Sequence, residues 1–287
     1  MSKFPQQNIS SDTYAVIGDP ISQSLSPQIH RLFAKQVQEK ITYDRWHLNT
    51  ASFSEAVEDF FAQGGGGLNV TAPHKQLAYE LSAKLSDRAK LAGAVNTLFL
   101  KDKEIVGDTT DGLGLLQDLE RLNWNLHDKK LLILGAGGAV RGVLQPLIMA
   151  RPAEITIANR TVEKAKALQE IFSNAATKNQ VEVNCSAVDK LSQAFDVVIN
   201  ATSASLSNNK LNLATAVIQK AKCYDMVYGA KQTAFMGWSL ENGAKEVADG
   251  LGMLVGQAAE AFNIWRGIKP ETSPVIKIIR QDLTAGR

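Results

Sequence analysis

Lys130-Leu131-Leu132-Ile133-Leu134-Gly135-Ala136-Gly137-Gly138-Ala139 is an apolar run that ends in a glycine turn, with a helical pattern after it. A buried strand, a glycine turn and a helix start in that order are the fingerprint of a dinucleotide-binding βαβ unit. The backbone N–H groups at the helix start face a pyrophosphate, and the glycines let the backbone come close to it. Val140 stands where the usual G-x-G-x-x-G spacing has its third glycine. The strand-turn-helix context therefore carries the reading more than the glycines do.

The next strand, over 154–158, ends in Asn159-Arg160-Thr161, with Lys164 one helical turn later. An NAD-binding unit usually puts an acidic residue there, to take the ribose 2′-hydroxyl. A guanidinium instead pairs with a phosphate, which a carboxylate would repel. These residues point to NADP. Further strands are predicted over 181–184, 196–200 and 222–227. Asn200-Ala201-Thr202-Ser203 and Asp225-Met226-Val227-Tyr228 stand at the carboxyl ends of two of them, where such sheets bind ligands.

Before this unit lies a second α/β pattern. Strands are predicted over 13–17, 41–48 and 68–70, helices over 28–37, 53–63 and 73–85, and a hairpin over 97–100 and 104–106. Ser24-Leu25-Ser26-Pro27 precedes the first helix. Ser26 before Pro27 fits an N-cap, whereas Ser24 has no such duty and suits a polar ligand. Gly64-Gly65-Gly66-Gly67-Leu68-Asn69-Val70-Thr71-Ala72-Pro73-His74-Lys75 reads as turn, strand and helix start, with Pro73 in the first helical turn and Thr71 and Lys75 at the junction. Asn96 suits holding a hydroxyl, and Asp111 fits the N-cap of the helix that follows. Asp249-Gly250-Leu251-Gly252 opens an alanine-rich helix to 265, in which Gln257 is a polar residue needing a partner. A last amphipathic helix is expected over 274–283.

With 287 residues, 45% hydrophobic and 21% charged, the chain has the make-up of a water-soluble protein with room for two domains. A net charge of +2 without a basic block argues against a nucleic-acid partner. Cys185 and Cys223 have neither metal-ligand nor disulfide spacing, so buried thiols in a reducing compartment, and no metal, are expected. No run reaches the roughly 18–20 apolar residues that span a bilayer, and the polar start lacks a signal-peptide core. A cytoplasmic protein that works on a small molecule, away from membranes, is the expectation.

Taken together, the motifs resemble the shikimate dehydrogenase family over nearly the whole chain. The resemblance rests on Ser24 to Pro27, Asn69 to Lys75, Gly93 to Thr97, Thr110-Asp111-Gly112, Gly135 to Ala139, Asn159 to Thr161, Asn200 to Ser203 and Gly252 to Gln257, in this order. It implies two α/β domains. Residues 1–111 and 250–287 would form an N-terminal substrate domain completed by C-terminal helices, and 112–249 an inserted Rossmann-type NADP domain, with substrate in the cleft between them. It further implies that Ser24, Ser26 and Tyr228 meet the substrate carboxylate, and that Thr71, Lys75, Asn96, Asp111 and Gln257 surround its hydroxyls. Gly135, Ala136, Gly137, Gly138 and Ala139 would hold the pyrophosphate. Asn159, Arg160, Thr161 and Lys164 would take the 2′-phosphate, Met226 and Gly250 would lie by the nicotinamide, and Asp87 near the cofactor. A monomer or homodimer is expected. The chain departs from the family pattern at Arg31, Thr109, Ser205 and Ala230.

The implied reaction is reduction of 3-dehydroshikimate to shikimate, in the route to chorismate and the aromatic amino acids. It needs a hydride at the carbonyl carbon and a proton at its oxygen. Lys75 and Asp111 are assigned jointly, as a coupled acid/base dyad. Two other readings stand beside this one: a quinate/shikimate dehydrogenase with broader substrate and cofactor use, and a non-catalytic NADP-binding sensor. The basic residues at 159–164 speak against NAD, and the Lys75/Asp111 pair against a sensor.

Overall fold

Residues 9–202 and 213–286 are described by the computed structural model. The chain folds into two units: one runs to Asp111 and resumes over Gln257–Val275, and the other comprises Gly112–Gly256 and the residues from Ile276 on.

The first unit contains β1 (Thr13–Gly18), α1 (Ser26–Val37), β2 (Thr42–His47), α2 (Phe53–Ala62), β3 (Gly67–Val70), α3 (Lys75–Leu81), β4 (Lys84–Leu85), α4 (Asp87–Ala92), β5 (Thr97–Lys101) and β6 (Glu104–Asp108). The six strands form one sheet in the order β2-β1-β3-β5-β6-β4. The pairs β1–β2, β1–β3 and β4–β6 are parallel, whereas β3–β5 and β5–β6 are antiparallel. Every residue of β1 is buried, as a strand covered on both faces requires. Phe53, Ala56, Val57, Phe60 and Phe61 recur at helical spacing on α2 and bury one stripe against Trp46, Leu68 and Leu98.

The glycine run serves packing within this unit. A Cβ on Gly67 would stand 2.3 Å from the Trp265 indole nitrogen, which donates to Leu98 O at 3.2 Å. Gly64, at φ +89°, makes the turn.

His30 is enclosed by aromatic rings, stacked on Tyr43 at 4.2 Å and flanked by Phe33, Phe262 and Trp265. Neither ring nitrogen has a hydrogen bond. Burial therefore lowers its pKa to about 3, with the Asn69 amide pulling weakly the other way. Because the unfolded chain binds this proton near pH 6.5, stability is full above that pH and falls as the pH drops towards 3. Between pH 6.5 and 5 the loss amounts to about 2 kcal/mol at about 1.4 kcal/mol per pH unit. Urea unfolding at pH 7 and pH 5 checks this, since the pH dependence should shrink by that amount in His30→Gln.

The helix expected over 73–85 is divided. Thr71 O takes the His74 N–H at 3.0 Å, and the His74 ring is fixed to Leu48 O at 2.7 Å. Pro73, after a cis bond, thus lies in a turn, and α3 begins at Lys75. Residues 84–85 leave the helix to pair with β6, and Ser86 then caps α4 through a bond from Ala89 N at 3.2 Å. Sheet pairing here overrides local helix propensity.

The second unit contains α5 (Asp111–Arg121), β7 (Lys130–Leu134), α6 (Gly138–Met149), β8 (Glu154–Ala158), α7 (Val162–Ile171), α8 (Ser173–Asn179), β9 (Glu182–Ser186), β10 (Val197–Asn200), β11 (Lys222–Asp225), α9 (Ala234–Glu241) and β12 (Glu246–Asp249). Asp111 itself belongs to the first unit. Next come α10 (Leu251–Arg266), which runs from the second unit into the first, and α11 (Thr272–Thr284). The sheet order is β12-β11-β10-β7-β8-β9, all parallel. Chain order thus reverses between β7 and β10, which is the switch point where such sheets bind nucleotides. β12 and α9 lie outside the elements expected from sequence.

Asp118, 2% exposed, pins this unit. It accepts from Tyr224 Oη and from Arg121 Nε, both at 2.7 Å. Tyr224 Oη also accepts from Met253 N at 3.3 Å, and Gly252 lies so close that a Cβ there would stand 1.8 Å from Asp118 Oδ1. Cys223 is buried, but Cys185 is only half-buried, contrary to the expectation of two buried thiols. Among the described residues, no helix is long and apolar enough to cross a membrane.

Candidate active site

In the first unit, three neighbouring elements bring polar side chains to one place. Lys75, the first residue of α3, donates from Nζ to Asp111 Oδ2 at 2.5 Å. The Lys75 side chain is 33% exposed and that of Asp111 16%, so the pair is reachable by a ligand yet largely shielded from water. Lys75 O accepts from Val95 N at 2.9 Å, tying the helix start to the segment that leads into β5.

Asn96 organises the rest. Its Oδ1 accepts the Thr110 N–H at 2.9 Å, which fixes the amide so that Nδ2 points towards Asp111 Oδ1 at 2.8 Å and Thr110 Oγ1 at 3.0 Å. Gln257 Oε1 stands 3.4 Å from the same nitrogen, which is the partner expected for that polar residue on α10. Asp111 is the first residue of α5, and its carboxylate accepts from Lys75 and from Asn96. Asp111 and Gln257 are also the residues at which the chain leaves and re-enters the first unit.

Two residues absent from the sequence-derived site complete the cluster. Asn69, buried in β3, donates to Asn96 O and to Thr97 Oγ1, both at 3.2 Å, and accepts from Tyr43 Oη at 2.7 Å. Thr110 is fully buried between Asn96 and Gln257. The signal that could have found Asn69 is an amide in a strand otherwise buried and apolar, which has to be satisfied. Beneath them Asp108 receives Arg88 at 2.7 and 2.6 Å, making a rigid floor for the segment before Thr110.

Ser26 does not cap α1. Leu25 occupies the N-cap position without a side-chain cap bond, and Ser24 Oγ accepts from the backbone N–H of Ser26, the first residue of the helix, at 3.3 Å. The Ser24 hydroxyl meets that of Ser26 at 3.2 Å, so the two form a pair, and Arg45 Nε holds Ser24 O at 2.7 Å. Thr71 is half-buried, with its N–H bonded to Ile17 O at 2.9 Å. Asp87 is exposed on α4 and pairs with Lys90 at 3.3 Å.

In the second unit, Gly135 takes φ +112° at the end of β7, and a Cβ there would stand 3.3 Å from Ala201 O at the end of β10. Gly137 and Gly138 have open space where a Cβ would lie, and Gly137 caps α6 without any side-chain bond. The start of α6 is thus bare backbone N–H with room before it, which fits a pyrophosphate. Val140 is fully buried, which explains why the third glycine is dispensable: this position faces the core. Arg160, Thr161 and Lys164 are exposed beside the end of β8, with neither cation in an ion pair among the described residues. Asn159 Nδ2 donates to Thr161 O at 2.8 Å and shapes that turn. A dinucleotide with a phosphate at its ribose fits these residues. Gly250 lies against Met226, whose carbonyl oxygen would be 2.2 Å from a Cβ there. Burial, and then the charge of Asp249, raise the pKa of Tyr228. Ser203 and Ser205 lie outside the described residues.

Three family models match this chain: the shikimate dehydrogenase substrate binding domain over residues 16–98, the shikimate/quinate 5-dehydrogenase over 118–227, and the shikimate 5′-dehydrogenase C-terminal domain over 250–280. The shikimate dehydrogenase (NADP(+)) of Colwellia psychrerythraea is 50% identical over 274 residues, covering 95% of this chain and 98% of its own. The crystal structure of an Ael1 enzyme from Pseudomonas putida superposes with a TM-score of 0.88 at 43% identity, over 93% of this chain and 97% of that one. Shikimate 5-dehydrogenase from Thermus thermophilus, solved with NADP(H) and shikimate, gives 0.83 at 28% identity, over 94% of this chain and 99% of that one. With all three domain models matched in order and half of the residues shared with a full-length relative, the chain belongs to the shikimate dehydrogenase family.

Proposed function

We propose that this protein catalyses the reversible NADP-dependent reduction of 3-dehydroshikimate to shikimate, in the route to chorismate and the aromatic amino acids. The observation that carries the reading is the Lys75–Asp111 pair held by Asn96. NADPH, when bound, supplies the hydride. Lys75 delivers the proton to the carbonyl oxygen, and in the reverse direction takes it from the hydroxyl. Asp111 holds the amine in place and receives the neighbouring hydroxyl. Asn96, Gln257 and Thr71 orient the ring hydroxyls, and the Ser24/Ser26 pair takes the carboxylate. Tyr228 is assigned to the carboxylate as well, Met226 and Gly250 to the nicotinamide. Gly135 to Ala139 with the start of α6 would hold the pyrophosphate, and Asn159 to Thr161 with Lys164 the 2′-phosphate. A cytoplasmic monomer or homodimer without a nucleic-acid partner completes the proposal.

Initial rates with shikimate and quinate, each paired with NADP and NAD, test it. Turnover confined to shikimate with NADP is the expected result. Comparable rates with quinate or NAD would favour the broader quinate/shikimate activity, and NADP binding without turnover in any pairing would favour a sensor. The cofactor half has its own check. Because a guanidinium–phosphate pair is worth about 1.5–3 kcal/mol, Arg160→Ala should raise the KM for NADP about tenfold or more and leave that for NAD within about threefold.

A further inference from the structure

Arg280, on α11, belongs to none of the motifs above. Its guanidinium spans two acceptors, donating from Nη1 to Gly229 O at 2.7 Å and from Nη2 to Asp249 Oδ1 at 2.5 Å. Asp249 is itself fixed: its side chain is 8% exposed, and Oδ1 also accepts from Leu251 N, at 3.2 Å. The fork therefore ties the turn after β11 to the junction of β12 and α10.

That turn carries Met226 and Tyr228. Its base is well held. Val227 N donates to Asp225 Oδ1 at 3.2 Å, Gly250 N to Val227 O at 3.1 Å, and Thr233 Oγ1 to Asp225 Oδ2 at 2.6 Å. Among the described residues, the hydrogen bond that reaches the crown of the turn is that of Arg280 to Gly229 O. Ala230 and Lys231 are exposed. Loss of one planar fork would free the residues around Tyr228 while leaving both ends of the turn anchored.

We infer that Arg280 is a positioning residue, which holds the turn after β11 so that the Tyr228 phenol is presented in one orientation to the substrate. This rests on the role proposed for Tyr228. A lysine could keep the charge and reach one acceptor, but it cannot bridge a carbonyl and a carboxylate with a rigid fork.

Two measurements on Arg280→Ala and Arg280→Lys test the inference. Amide exchange of the ligand-free protein reads the tether directly: residues 228–231 should exchange at least about fivefold faster in Arg280→Ala, with Arg280→Lys between it and the parent. Steady-state kinetics read the consequence. The KM for shikimate should rise about five- to tenfold with a smaller change in kcat, and the rise should vanish when Arg280→Ala is made in a Tyr228→Phe background. Unchanged exchange, a KM within about twofold of the parent, or an equal rise in the Tyr228→Phe background would each overturn it. Should Arg280→Ala fail to fold, Arg280→Lys decides by the same criteria. Absence of turnover in the parent protein would instead overturn the proposed function, with the exchange data still deciding the tether.

Discussion

Lys75→Ala lowers turnover of shikimate at least about a hundredfold and leaves NADP binding within about threefold. Among the described residues of the cluster around Asn96, the amine is the cation placed to give a proton to an alkoxide. Arg88 is already committed to Asp108 by two bonds, at 2.7 and 2.6 Å. The amine sits 2.5 Å from Asp111, and under the proposed acid/base role of the pair, removing both should cost little more than removing either alone. Rates of cofactor reduction, together with a separate titration of NADP binding, read both halves. A variant with near-parental turnover would refute the assignment of Lys75.

The second large effect is on stability. Gly252→Ala puts a methyl carbon 1.8 Å from Asp118 Oδ1 and 2.0 Å from its Cγ. The carboxylate cannot yield, because it is buried and holds both Tyr224 and Arg121. Moving it would strip a buried phenol of its partner. The expected loss is about 3 kcal/mol, or roughly 6–12 °C in the thermal midpoint. Repeating the change in an Asp118→Ala background should reduce the penalty to under about 1 kcal/mol, since the clash is with that side chain. An unchanged midpoint in the single variant would show that α10 can shift at low cost.

What the amino-acid sequence made legible follows from what each element is made of. Strands β7 and β8 are buried beyond their first residue and are mostly apolar, with Thr156 the polar residue inside β8, so their bounds could be drawn from pattern alone. β12 is four residues with an acid at each end, and α9 has Gly237 and Trp238 in its middle. Neither offers a period, and both form because neighbours hold them. The division of the expected 73–85 helix has the same origin, in pairing with β6.

The candidate site shows the same split. Lys75, Asn96 and Asp111 stand beside turn residues, where a polar group has a visible reason to be exposed to a ligand. The Ser26 hydroxyl was ambiguous because the residue before a proline also suits a cap, and only the geometry at Leu25 removes that duty. Arg280 left no trace at all. Its two partners lie 51 and 31 residues away, and an arginine on an amphipathic helix otherwise reads as a solvated charge.

Two of the three points at which the backbone passes between units, 111/112 and 256/257, have a bearing on how such a protein can be recombined. Asp111 ends the first segment of one unit and Gln257 begins its second, so both seams run through side chains that converge on Asn96. A chimera with junctions at 111/112 and 256/257 would keep those residues by name. A one-residue insertion at either seam would turn α5 or α10 by about 100° and carry the side chain away from the amide. The nucleotide-binding insert can thus be exchanged among relatives only in register, and the tolerance of each seam to length change gives a genetic readout of the cluster without any assay of the cofactor.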